Sequence, residues 1–351
     1  MVVHRKMMWL LLSFLVTVVI GLFLYAYVMA NRVFEKEKYL TKVGLSLATL
    51  SEARWSRERD IIVNESRRYG MRVIVQSCEK DEMLQNVQIE NMISSGVKAI
   101  IIVAQNADTV VPAVKLAEKE GIPTIAYDRA VYCNKVDVYI SFDSVKVGYV
   151  EAKALLNIVN RGNFLILCGS PTDDNAYLIK EGQYKALMPY IKIGRIKIIG
   201  EYWCDGWNPE EALKHTENAL TALNNNIQAI LAPNDGTAGG AIQALAAQGL
   251  AGKIPVSGED AELAACRRII EGTQTVTVFK DVRKLAKTAV VTTWELLHGM
   301  KPTKINSVYE NKKRGIKIDS IILDVVPVTK SNMREVIVDS GFHRAEDIYG
   351  N

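Results

Sequence analysis

Along this chain of 351 residues, side chains able to hydrogen-bond or stack on a small polar ligand recur just beyond apolar runs. Arg54 and Trp55 follow Val43–Leu47, and Asp128-Arg129 follows Pro123–Tyr127. Asp173 and Asn175 lie in the segment after Asn163–Cys168, and Trp207 ends Asp205-Gly206-Trp207, shortly after Ile196–Glu201. Asn234 follows Ala229–Ala232, Asp260 ends Gly258-Glu259-Asp260, and Lys280 follows Thr275–Phe279. Hydroxyl groups donate and accept at once, so Asp and Asn can pair with them while Arg and Lys donate to hydroxyl and ring oxygens. A tryptophan can cover the apolar C–H face of a pyranose. Asp128, Asp173 and Asp260 balance Arg54, Arg129 and Lys280, which favours a neutral ligand over a phosphorylated one. No GxGxxG or GxxxxGKS/T loop follows any of these runs.

Each of these residues also has a purely structural reading. Asp128-Arg129 can be a local ion pair, Ser170 or Asn175 a helix cap, Trp207 core, and Asn234-Asp235-Gly236 a turn. Their joint placement at successive run ends favours a ligand site. Spacing alone does not name a sugar.

The elements that must position these residues are read from periodicity. Further apolar runs are Arg72–Gln76, Ala99–Ala104, Tyr139–Phe142 and Pro255–Ser257, and amphipathic stretches such as Ser56–Tyr69, Leu84–Ser95, Val110–Lys119 and Val145–Val159 separate the runs. Continuous apolar runs joined by helices predict parallel strands covered on both faces. In such sheets ligands bind beyond the carboxyl ends of the strands. Ten strands exceed one such sheet, so an α/β protein of two doubly wound parallel-sheet lobes is expected, with strands roughly within 41–143 and 148–279. The expected N-terminal lobe is 39–146 plus about 281–318, and the C-terminal lobe is 147–280 plus about 319–345. Near the end, Pro327–Asn332 reads as a loop leading into a final helix capped by Ser331.

Residues 1–38 read as a transmembrane anchor and linker. Met7 to Asn31 carries no charge, and a helix of that length crosses a hydrocarbon core of about 30 Å. Arg5 and Lys6 before it argue for a cytoplasmic N-terminus and an extracytoplasmic binding domain at the cell membrane. Trp9, Tyr25 and Tyr27 suit its two interfaces. A cleaved signal ending at Val28-Met29-Ala30 is the competing reading, although the apolar stretch exceeds an ordinary signal region. A net charge of +4 gives no support to a nucleic-acid partner. The five cysteines show no CxxC and no histidine at ligand spacing, so they read as buried thiols, with no metal and no cofactor implied.

From about Lys42 to His343 the chain resembles the periplasmic D-xylose-binding proteins of the type I sugar-binding fold. Arg54-Trp55, Ile89–Ile93, Ala126–Arg129, Tyr139–Asp143, Val147-Gly148, Gly169–Pro171, Asp205–Trp207, Asn234-Asp235, Ala238–Leu245 and Gly272–Thr275 carry the likeness. The resemblance implies a sugar held between two lobes by Arg54, Arg129, Asp173, Asn175, Trp207, Asn234, Asp260 and Lys280. Trp55 is the candidate opposite aromatic wall, and Asp128 is assigned to orienting Arg129. With its N-terminal span, the chain further resembles the membrane-anchored xylose receptors that partner a LytS-type sensor histidine kinase. That implies D-xylose or a related pentose as ligand, lobe closure as the signal, and the kinase's extracellular domain as partner. The alternative is the substrate-binding component of an ATP-driven xylose or pentose importer, with a sugar permease as partner. An enzyme is disfavoured, because none of His4, His215, His298 and His343 falls at a run end.

Overall fold

The computed structural model describes residues 17–22, 25 and 40–350. Most of the expected membrane span lies outside them. Residues 17–22 and 25 are helical, and among the described residues no helix is long and apolar enough to cross a membrane.

In chain order the strands and helices are β1 (Thr41–Leu47), α1 (Ala53–Arg68), β2 (Met71–Ser77), α2 (Glu82–Ser94), β3 (Ala99–Ile102), α3 (Val111–Lys119), β4 (Thr124–Tyr127) and β5 (Val138–Phe142). Then come α4 (Ser144–Leu156), β6 (Gly162–Cys168), α5 (Asp174–Lys192), β7 (Ile196–Trp203), α6 (Pro209–Ala222), β8 (Ala229–Leu231), α7 (Asp235–Ala247) and α8 (Leu263–Glu271). The last are β9 (Thr277–Phe279), α9 (Val282–Leu297), β10 (Ser307–Asn311), β11 (Ile316–Leu323), β12 (Val326–Val328) and α10 (Ala345–Tyr349).

The first sheet has the order β10-β11-β5-β4-β3-β1-β2, parallel except for the β10–β11 hairpin. Apolar residues on both sides of its strands explain why it needs helices on both faces. Ala99 and Ile101 of β3 enter one core while Ile100 and Ile102 enter the other. The second lobe is built on β7-β6-β8. Its sheet is extended by single bridges, Ile230 to Val256 and Glu259 to Val278, which lead to the antiparallel pair β9–β12. Pro255–Ser257 therefore makes one bridge instead of the expected strand.

The chain passes between the lobes three times, after β5, after β9 and after β11. Asp143 caps α4 and Asp281 caps α9 at the first two passages. Helix α9 packs into the first core through Leu285, Ala286, Ala289 and Val290, whereas α4 joins the second lobe through Ala152, Leu155 and Leu156. The third passage departs from expectation. β11 pairs with β5 from Ser320–Tyr139 to Leu323–Phe142, so residues 319–323 lie in the N-terminal lobe, not the C-terminal one. Ser331 does not cap a helix either. Its hydroxyl meets that of Thr329, and Asn332 accepts from the Thr329 N–H ahead of a π-turn at Arg334–Val338.

Candidate ligand-binding site

The carboxyl ends of the strands in both lobes face one another across a cleft. Glu52, Arg54 and Trp55 stand at the start of α1, and Asp128 and Arg129 directly after β4. From the other lobe come Asp173, which caps α5 by accepting from the Asn175 N–H, and Asn175 itself. Trp207 ends a short 3-10 turn, Asn234 caps α7 in a reciprocal box with Thr237, and Glu259, Asp260 and Lys280 flank β9. These side chains enclose a space of about 350 Å³, open in part to solvent. Twelve side chains converging on so narrow a space suit a single small molecule and not a polymer.

All nine residues singled out in the sequence line this cleft. The structural readings of some also hold: Asn234 is both a cap and a lining residue, and Trp207 is buried in the first core. Asn175 is not a cap but the second residue of α5. The role given to Asp128 is corrected. Its carboxylate accepts from Arg54 Nη2 at 2.7 Å, while Arg129 Nε pairs with Asp173 at 2.9 Å. Asp128 itself has a positive φ of 61°.

Electrostatics join the two lobes. Arg54 donates to Glu58 at 2.8 Å and Asp128 at 2.7 Å within its own lobe, and to Asp260 of the other at 3.1 Å. Lys280 Nζ lies 2.9 Å from Glu259 and 3.1 Å from Asp260. Asn175 donates across the cleft to the Asp128 carbonyl at 3.0 Å and accepts from Ser144. Burial alone would raise Asp128, but Arg54 and Lys280 outweigh it and hold its carboxyl below the usual range. Burial would likewise lower Lys280, yet Asp260 and Glu259 keep it firmly charged. Burial pushes Glu259 upward, against the pull of Lys280.

Sequence reasoning missed four contributors. Glu52 and Glu259 line the cleft, so five carboxyl groups meet three cations and the expected charge balance does not hold. Glu58 and Tyr127 lie behind the cleft, where the buried Glu58 carboxylate accepts from Arg54 and the Tyr127 hydroxyl. The spacing of Arg54 and Glu58, four apart on one helix, was a signal that could have found Glu58. Backbone strain also concentrates here: Asp128, Trp207 and Asp260 have φ of 61°, 58° and 98°, conformations that persist when surrounding contacts over-determine them.

Residues 43–301 match the family model described as a periplasmic binding protein domain. The chain is 46% identical over 308 residues to the D-xylose-binding periplasmic protein of Escherichia coli, spanning 88% of this chain and 92% of that protein. It is 44% identical to the protein of the same name from Haemophilus influenzae, with the same coverage. Among solved structures, a carbohydrate transporter solute-binding protein from Chloroflexus aurantiacus in complex with D-glucose aligns with a TM-score of 0.80 and 31% identity. That alignment covers 88% of this chain and 98% of the other.

Proposed function

This chain belongs to the periplasmic binding protein family, and on that footing we propose that it is a membrane-tethered extracytoplasmic receptor for D-xylose. The observation that carries the reading is convergence: nine residues scattered over 227 positions of sequence, from Arg54 to Lys280, line one small interlobe space. Amide, carboxylate and cationic groups there can satisfy several hydroxyls at once, and Trp55 and Trp207 supply apolar faces. The two D-xylose-binding relatives, at 46% and 44% identity, point to that sugar among pentoses. The uncharged stretch from Met7 to Asn31 supports a single-pass anchor with the N-terminus in the cytoplasm. A tethered receptor stays at the membrane, so closure of its lobes can act on a neighbour there. The partner proposed is the extracellular domain of a two-component sensor histidine kinase.

A second reading has a specific observation in its favour. The Chloroflexus structure is described as a carbohydrate transporter component, so the substrate-binding role in an ATP-driven importer stands beside the sensor role. Calorimetric titration of the detergent-solubilised chain with D-xylose, ribose and glucose tests the ligand. One-to-one heat with xylose alone is expected, and silence with all three would remove the sugar reading. Affinity capture from native membranes separates the partners. A histidine kinase is expected, and recovery of only permease and ATPase subunits would replace the sensor with the importer.

A further inference from the structure

Among the described residues, Trp207 is the one aromatic side chain that the second lobe presents to the cleft, and its position is unusual in backbone as well as side chain. It sits at φ 58° directly after Gly206 at φ 56°, its N–H bonded to the Cys204 carbonyl at 3.0 Å. Its indole Nε1–H donates to Asp173 at 3.2 Å. Backbone and ring nitrogen are therefore both fixed, yet the six-membered half of the ring still needs a support.

Gly169, the first residue after β6, provides it. A Cβ built there would lie 2.4 Å from Trp207 Cη2, 2.5 Å from Cζ3 and 2.6 Å from Cζ2. Three consecutive ring atoms at nearly equal distance place that point over the face of the ring, since an approach at the edge would separate the distances. The bare Cα of Gly169 thus backs one face of the indole and leaves the opposite face for the cleft. We infer that Gly169 is a positioning residue that sets the depth and tilt of the sugar-stacking ring of Trp207. Any larger residue at 169 drives the ring into the space the ligand occupies, because the Asp173 bond and the αL backbone block retreat elsewhere.

This inference rests on the sugar reading, and its test separates the two. In D-xylose titrations of the full chain, Gly169→Ala is expected to weaken binding by about 10-fold or more, as overpacking at a fixed wall does. With Trp207 already replaced by Ala, the same Gly169→Ala change is expected to alter affinity by less than about 2-fold, since the two positions then no longer interact. Wild-type affinity in Gly169→Ala, or an equal loss in both backgrounds, overturns the inference. Should Gly169→Ala fail to fold, the double variant decides. It folds if the ring was the obstacle, and failure there as well overturns the proposal. If the wild-type chain takes no xylose, ribose or glucose, the sugar reading falls and near-ultraviolet circular dichroism decides the positioning alone. The band lost in Trp207→Ala must change in Gly169→Ala, and an unchanged band overturns the role of Gly169.

Discussion

Asp260 is where the charges of the cleft converge. It accepts from Arg54 of the opposite lobe and from Lys280 of its own, in a backbone conformation that few residues other than glycine adopt. Asp260→Ala is expected to cost about 2–4 kcal/mol of D-xylose binding, read by calorimetry, because ligand hydroxyls and two cations lose a shared acceptor. Nearby, burial, reinforced by Asp260, pushes Glu262 up to about 7 from its ordinary 4.5. A raised carboxyl favours the proton in the folded state, so its stabilisation is full below about 4.5 and is lost as pH rises through about 7. Glu262→Gln, permanently neutral, is therefore expected to match the wild type in urea melts near pH 4.5 and to exceed it at pH 8. The gain is at most about 3 kcal/mol, less whatever water screens. Equal curves at pH 8 would show that Glu262 meets no penalty when charged. Residue types at the cleft were legible in sequence because function demands polar groups at strand ends. Their pairing was not legible, since Asp128 bonds Arg54 and leaves its neighbour Arg129 to Asp173.

At the scale of elements, β1 to β9 were readable almost throughout because strands buried on both faces need continuous apolar runs. β10 and β11 escaped that reading. β10 carries no buried residue and β11 alternates buried and exposed residues over Ile316–Ser320, on either side of a Lys312–Gly315 turn, the pattern of an edge hairpin and not of a central strand. Because β11 was missed, the third passage between lobes was set too early. The contact between α4 and α5 is equally silent in composition. A Cβ at Gly148 would come within 1.8 Å of the Ile179 carbonyl oxygen, and one at Gly182 within 2.0 Å of that of Val145. The two helices thus touch backbone to backbone, coupling the helix that follows the first passage to the helix headed by Asp173. Gly148→Ala cannot be absorbed by a flexible side chain and is expected to lower stability by about 3 kcal/mol or more. A melting temperature within a few degrees of the wild type would mean the helices separate without cost.

For the whole molecule, what matters is how two lobes joined by three short passages stay closed. The cleft's own ion pairs supply part of the answer, but the rim supplies another. Asp174, adjacent to the cleft-lining Asp173, is buried and accepts from two phenols of the first lobe, Tyr132 at 2.5 Å and Tyr309 at 2.9 Å. Lys80 reaches the Gly206 carbonyl and Thr172 that of Gln105 across the same boundary. No single run of sequence could announce this arrangement, because Tyr309 belongs to the hairpin and lies 135 positions from its acceptor. Opening the lobes would expose Asp174 to water, which can replace both phenols, so the net gain from each bond is about 1 kcal/mol. Tyr309→Phe removes one donor and keeps the ring, including its edge contact with Tyr139. The variant should shift the equilibrium toward the open form and raise the apparent dissociation constant for D-xylose by about 5-fold, without altering ligand contacts. Small-angle scattering at sub-saturating sugar should show a larger radius of gyration than the wild type, and at saturation the two should coincide. Unchanged affinity with unchanged scattering would assign closure to the cleft's ion pairs and the other bonds across the boundary. The Asp174 rim would then be a consequence of closure, not a contributor to it.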